Sequence, residues 1–302
     1  MYTDVHQDRS TMTGAKRFIQ ENSDEDSYGY MKTKIFKLEA TAEINEICCD
    51  LYDATLNVTV SDGKELKVIL PDCKNVNIAV GEKRLIINQA KRLIPIGKQT
   101  ITVFVPTHVV PALNITGTRA QVSVDGGIFA DLNLNGICGE LNLTSCAFAS
   151  VQVASGKLNL HFSETTVKQN LLLQIESGQL IAENFFALVA DCRLKSGNMG
   201  FINLSGSDFT FETESGNITL TLAGCKEEYN TLIRVKNGTS NRPSTQSEGA
   251  NKSIKAFSEN GNVLLDFIGE KVVCEAAVSS DDILSEDTQN DNDAESVQEN
   301  TL

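Results

Sequence analysis

Ser155, Ser177, Ser196 and Ser215 each stand immediately before a glycine, and a serine can carry acyl-transfer chemistry when a base activates it. Such a nucleophile sits on a Gly-x-Ser-x-Gly elbow, which frames none of them; four equivalent copies describe a repeated turn instead. The three histidines, His6, His108 and His161, have no clustered partners and read as solvent-facing or satisfied side chains. Glycosidic chemistry needs two carboxylates at a set separation. The outward candidates Asp125, Asp131, Glu140, Glu164, Glu176, Asp191, Glu212 and Glu214 recur at no single register position, so they read as a solvated face. The eight cysteines, Cys48, Cys49, Cys73, Cys138, Cys146, Cys192, Cys225 and Cys274, include no Cys-x-x-Cys pair and give no zinc spacing. In a long chain they are expected to be buried, reduced thiols rather than a disulfide framework. Gly126-Gly127 followed by Asp131 does not recur as a calcium-binding nonapeptide would. Asn-x-Ser/Thr triplets at Asn57, Asn142 and Asn217 fall inside strand patterns. No catalytic residue, cofactor or metal ligand is expected.

A repeat must position these residues. With the glycine of each Ser-Gly as origin, Gly139, Gly156, Gly178, Gly197, Gly216, Gly238 and Gly261 occupy one place, and Ala120 is a weaker match. The gaps from Ala120 are 19, 17, 22, 19, 19, 22 and 23 residues, a solenoid-sized period. Apolar residues stand five and three positions before the glycine, as at Leu173 and Ile175, and two and four after it, as at Leu180 and Ala182. Side chains alternate along a strand, so odd positions before the glycine and even positions after it would face opposite ways. A corner at Ser-Gly returns both sets to one interior, and glycine allows positive φ there without a Cβ penalty. Gly156→Val is therefore expected to damage the stack, and Ser155→Ala to be nearly silent.

Units of about 20 residues stacked at about 4.8 Å bury one apolar column, a β-solenoid. The fold class expected is all-β, a single-chain β-helix of right-handed sense, with a β-sandwich as the alternative. No proline interrupts the chain between Ala112 and Arg242, as unbroken ladders require. The organisation expected is a disordered segment at 1–30 and an irregular β region at 31–111 that caps the solenoid. The β-helix itself then occupies 112–270, followed by a C-terminal cap with an acidic disordered tail at 271–302.

Of the net charge of −14, residues 281–302 supply −8 and residues 1–30 supply −3, so the acidity lies mainly in the tails. Such acidity argues against nucleic acid, which is held by Lys and Arg. No apolar run approaches the roughly 20 residues of a membrane span. The start lacks the basic and apolar regions of a secretory signal, which favours a cytoplasmic location.

Alternating N-terminal strands, a "VFVP" step at Val103–Pro106 and Ser-Gly repeats ending in "ENGNVLLDF" together resemble the bacterial putative-adhesin domain-of-unknown-function family. The resemblance covers roughly 43–270 and implies a β-helix, in a family often associated with the cell envelope and without catalytic residues to carry over. Many members have an N-terminal membrane segment that this sequence lacks. The function expected is a non-enzymatic structural or binding module, adhesin-like and envelope-associated, with an unknown protein or glycan partner. A carbohydrate-binding or carbohydrate-active β-helix is the alternative. Solenoid ends can also stack into filaments. The acidic tails and irregular N-terminal region point instead to a monomer or small oligomer.

Overall fold

A computed structural model describes residues 18–22, 33–39, 44–81, 83–91 and 98–269. The expected C-terminal cap and acidic tail at 271–302 lie outside the described residues, as do His6 and Cys274. The chain is all-β: sixteen strands join in one sheet, and the only helical element among the described residues is a 3-10 turn at Lys226–Glu228.

The stack begins with β3 (Glu46–Ser61), parallel to β8 (Ala112–Asn135) from Glu46 beside Ala112 to Thr59 beside Asp125. β9 (Cys138–Ser163), β10 (Thr166–Ser177), β11 (Leu180–Ser196) and β12 (Met199–Ser215) follow, each parallel to its predecessor. Ala120 lies beside Gly139, Val151 beside Leu171, Leu171 beside Ala190 and Cys192 beside Phe211, so one coil takes 19 or 20 residues. The parity reasoning is realised in the side chains. Cys192 and Leu194 before Gly197, and Met199 and Phe201 after it, are all buried in one column. Aromatic rings stack up that column, Phe129 on Phe148 at 5.3 Å and Phe162 on Phe185 at 5.5 Å between centroids. Each buried ring stabilises the fold by about 1.5–3 kcal/mol relative to exposure.

Two N-terminal expectations are corrected. β3 is not an irregular cap but a layer of the stack. In β8 and β3 the place of the corner glycine is taken by Ala120 and Ala54, so the layer escapes the Ser-Gly register. Beneath β3 lie β6 (Arg84–Gln89) and β7 (Gln99–Pro106), both parallel to it. β5 (Val76–Val80) covers β6 antiparallel, while β4 (Glu65–Pro71), β2 (Thr33–Glu39) and β1 (Phe18–Asn22) extend antiparallel beyond β7. Phe18–Asn22, expected within a disordered segment, therefore forms a strand. An edge partner supplies the backbone hydrogen bonds that composition alone does not reveal.

At the other end the order of layers departs from the order of the chain. β12 is followed by β13 (Ile218–Leu222), the 3-10 turn, β14 (Tyr229–Asn237), β15 (Lys252–Asn260) and β16 (Val263–Phe267). β15 pairs with β12 and β16 with β13, and β14 then lies outside β15. The reason is apolar content. β15 and β16 together place Ile254, Ala256, Val263, Leu265 and Phe267 inward, enough to be covered on both sides. β14 is followed by the polar stretch 239–251, and its Ile233 and Val235 are only half-buried, so it makes a terminal layer. That stretch also blunts the edge. Thr245 exchanges backbone hydrogen bonds with Thr231 at 2.9 and 3.0 Å, and Ser244 Oγ bonds both the N–H and the C=O of Ile233.

Candidate functional site

Gly139, Gly178, Gly197, Gly216, Gly261 and Gly238 form one corner column, with φ between 132° and 154°. A Cβ on any of them would lie 1.7–2.0 Å from a carbonyl oxygen of the neighbouring layer, so the column is a line of backbone-on-backbone contact. Gly156 is not part of it, which corrects the expected register. The column residue of its layer is the buried Leu158, whose carbonyl faces Gly178. Gly156 lies outside the left-handed region, and the nearest atom to its would-be Cβ is Glu176 Oε2 at 3.9 Å. Ser155 is the constrained member of that pair: it is buried, and its hydroxyl donates to the Ile137 carbonyl.

Two outward columns run along the upstream side of the corner. One comprises Asn135, Ala154, Gln174, Arg193 and Glu212. The next comprises Gly156, Glu176, Lys195, Glu214, Glu259 and Lys236, each held between paired neighbours. Gly136, Ala154 and Gly156 carry little or no side chain, which leaves a groove of about 640 Å³ between these columns. Opposite charges pair along each column rather than across the groove. Arg193 grips both Asp191 oxygens at 2.9 and 3.0 Å and lies 3.8 Å from Glu212, while Lys195 lies 3.5 Å from Glu176. The hydrogen bond and charge of Asp191 raise the Arg193 pKa, holding it charged. Exposed pairs of this kind contribute about 0–1 kcal/mol to stability, so a polar partner can exchange into them at little cost.

Of the eight carboxylates singled out from the sequence, Glu176, Glu212 and Glu214 line this groove, and Asp191 joins it through Arg193. Glu140 lines a second groove of about 420 Å³, with Arg119 and Lys157. Glu164 instead occupies another corner and accepts a hydrogen bond from Ser145 at 2.9 Å, while Asp125 and Asp131 pair beside Thr144 and Ser150. Ser155 Oγ donates to the Ile137 carbonyl and Ser177 Oγ to the Gly156 carbonyl, and His161 stands beside Ile181 on the far side of the corner. No cluster of metal-ligating side chains occurs among the described residues. The cysteines there are all free. Cys49, Cys146 and Cys192 are buried as expected, but Cys138 is exposed, because its position points outward beside Arg119. Burial pushes the Cys49 thiol up to about 12 and that of Cys146 to about 11.

Two polar features escaped the sequence reading. Asn159, Asn198, Asn217 and Asn262 each offer Oδ1 to a backbone N–H of the adjoining layer, at 2.8–3.1 Å. The signal was the Asn directly after a corner glycine at Asn198, Asn217 and Asn262; Asn159 follows Leu158 and left none. Ser145, Glu164, Asn184 and Asn203 form a second left-handed corner, with φ of 49–57°. They carry no glycine and so left no visible punctuation.

A model of the family described as Toastrack DUF4097 matches residues 39–283. No curated protein sequence matches the chain. Among solved structures, the chain is similar to a "putative adhesin" from Bacteroides fragilis NCTC 9343, with 15% identity over 84% of this chain and 98% of that one, at a TM-score of 0.49. It is also similar to a "putative adhesin" from Parabacteroides distasonis ATCC 8503, with 13% identity over 80% and 98% of the two chains, at 0.44. A "putative cell adhesion protein" from Clostridium sporogenes ATCC 15579 shares 11% identity over 79% and 100%, at 0.30.

Proposed function

Because the chain belongs to the Toastrack DUF4097 family, we propose that it is a non-enzymatic, adhesin-like binding module whose corner groove docks a polar protein or glycan. One observation carries this reading: Arg193 and Lys195 sit exposed between carboxylates in a groove that small residues open. Such exposed pairs add little to folding but offer a partner both signs of charge. The test is binding of the whole protein to immobilised polysaccharides and to acidic, basic and neutral polypeptides. Saturable binding by the parent protein is expected to be lost in Arg193→Ala/Lys195→Ala with an unchanged urea midpoint. Binding that survives the double substitution, or no saturable binding at all, overturns the proposal.

A carbohydrate-active β-helix is favoured by the convergence of Glu176, Glu212 and Glu214 on one groove. A glycosidic general acid is usually kept protonated by burial, whereas Glu176 and Glu212 are 68% and 50% exposed and paired with cations. Release of reducing ends from a polysaccharide, abolished by Glu212→Gln, would establish this second reading.

A further inference from the structure

Three Asn-Gly steps occur in the chain, Asn135-Gly136, Asn237-Gly238 and Asn260-Gly261. In this dipeptide the glycine nitrogen can attack the asparagine side-chain carbon. The N–Cγ bond forms and the Cγ–Nδ2 bond breaks. The glycine amide proton passes through solvent to the departing ammonia, and water then opens the succinimide to aspartate or isoaspartate. The attack needs a glycine nitrogen that is free to lose its proton and leave the peptide plane.

In the corner column that nitrogen is tied down in four successive glycine layers. Gly178, Gly197, Gly216 and Gly261 donate their N–H to the carbonyls of Ser196, Ser215, Asn260 and Asn237 at 2.8–3.0 Å. Gly136 donates to Ala154 at 2.9 Å. Gly238 closes the column, and its N–H makes no hydrogen bond among the described residues. The side chains differ in the same sense. The Asn260 amide is held at both ends, donating to the Glu214 carbonyl at 3.1 Å and accepting from Asn237 at 2.9 Å. Among the described residues the Asn237 amide is held at one end only, through the Nδ2 that donates to Asn260, and Asn237 and Gly238 are both exposed, as are Asn135 and Gly136.

We infer that Asn237-Gly238 is the step at which the folded protein deamidates, because it ends the corner column and the glycine nitrogens of the other two Asn-Gly steps are tied. The inverted order of the last layers matters here. Stacking in chain order would leave Gly261 outermost and make Asn260 the labile residue.

The test is to incubate the full chain, folded and in urea, at mildly alkaline pH and to follow each Asn-Gly peptide by mass spectrometry, with isoaspartate detection. In the folded protein Asn237 is expected to convert faster than Asn260 or Asn135 by about fivefold or more, the equivalent of one backbone hydrogen bond at about 1 kcal/mol. In urea the three rates should converge, and Gly238→Ala should slow conversion at residue 237. Equal rates in the folded protein, faster conversion at Asn260 or Asn135, or conversion only in urea would each overturn the inference.

Discussion

Replacing Gly197 by alanine should cost far more stability than replacing Gly156, although both glycines follow a serine in the same apparent motif. At Gly197 the new Cβ would lie 1.7 Å from the Gly178 oxygen, 2.8 Å from its carbon and 3.3 Å from its nitrogen, at a φ of +132°. An alanine held there bears strain of about 1–3 kcal/mol, and parting two packed layers adds about 1–3 kcal/mol. Together these make about 2–6 kcal/mol, and with a urea m-value of about 3 kcal/mol/M the midpoint should fall by about 0.7–2 M. At Gly156 the nearest atom is a side-chain oxygen at 3.9 Å, and φ is outside the left-handed region. Gly156→Ala should stay within about 0.5 kcal/mol of the parent, or gain up to about 1 kcal/mol from a less flexible unfolded chain. The assay is urea unfolding by circular dichroism, comparing m-values as well as midpoints because a layered array can lose all-or-none behaviour. Equal shifts in the two variants, or a Gly197→Ala variant within about 0.5 kcal/mol of the parent, would refute the column argument.

Ser155→Ala should not be silent: it strips the buried Ile137 carbonyl of its donor and should cost about 1–3 kcal/mol in the same assay. The buried thiols of Cys49 and Cys146 are raised from an ordinary 9.0 to about 12 and about 11, so the folded state keeps protons that the unfolded state releases. Their stabilisation is complete below pH 9 and should fade as pH rises towards 11–12, by up to about 1.4 kcal/mol per pH unit for each thiol. A urea midpoint that is flat above pH 9, or as steep in Cys146→Ala, would contradict this. Thr245→Pro removes the N–H that bonds the Thr231 carbonyl and uncovers the β14 edge, so sedimentation should show association growing with concentration. A variant that stays as monodisperse as the parent would show that other features guard this end.

Much of the architecture was legible because its cause is local. Period-two alternation, interrupted by a corner that reverses parity, places Cys192, Leu194, Met199 and Phe201 in one interior wherever neighbouring coils lie. The same local rule let Ser155-Gly156 pass for a corner, since serine followed by glycine looks alike whether or not a carbonyl presses on it from the next layer. The groove was less legible: Glu176, Arg193, Lys195 and Glu212 are not spaced as a motif and meet only because separate coils stack in register.

The sequence by itself determined an all-β chain with an apolar column, a coil of about 20 residues and acidic ends. Only the tertiary structure decided that β3 is a layer, that Gly156 stands off the column and that β15 slips beneath β14. The physical reason is that alternation is written within one strand. Whether a glycine is required, and which layer may lie outermost, depends on atoms tens of residues away and on which coil carries enough apolar surface to be covered on both sides.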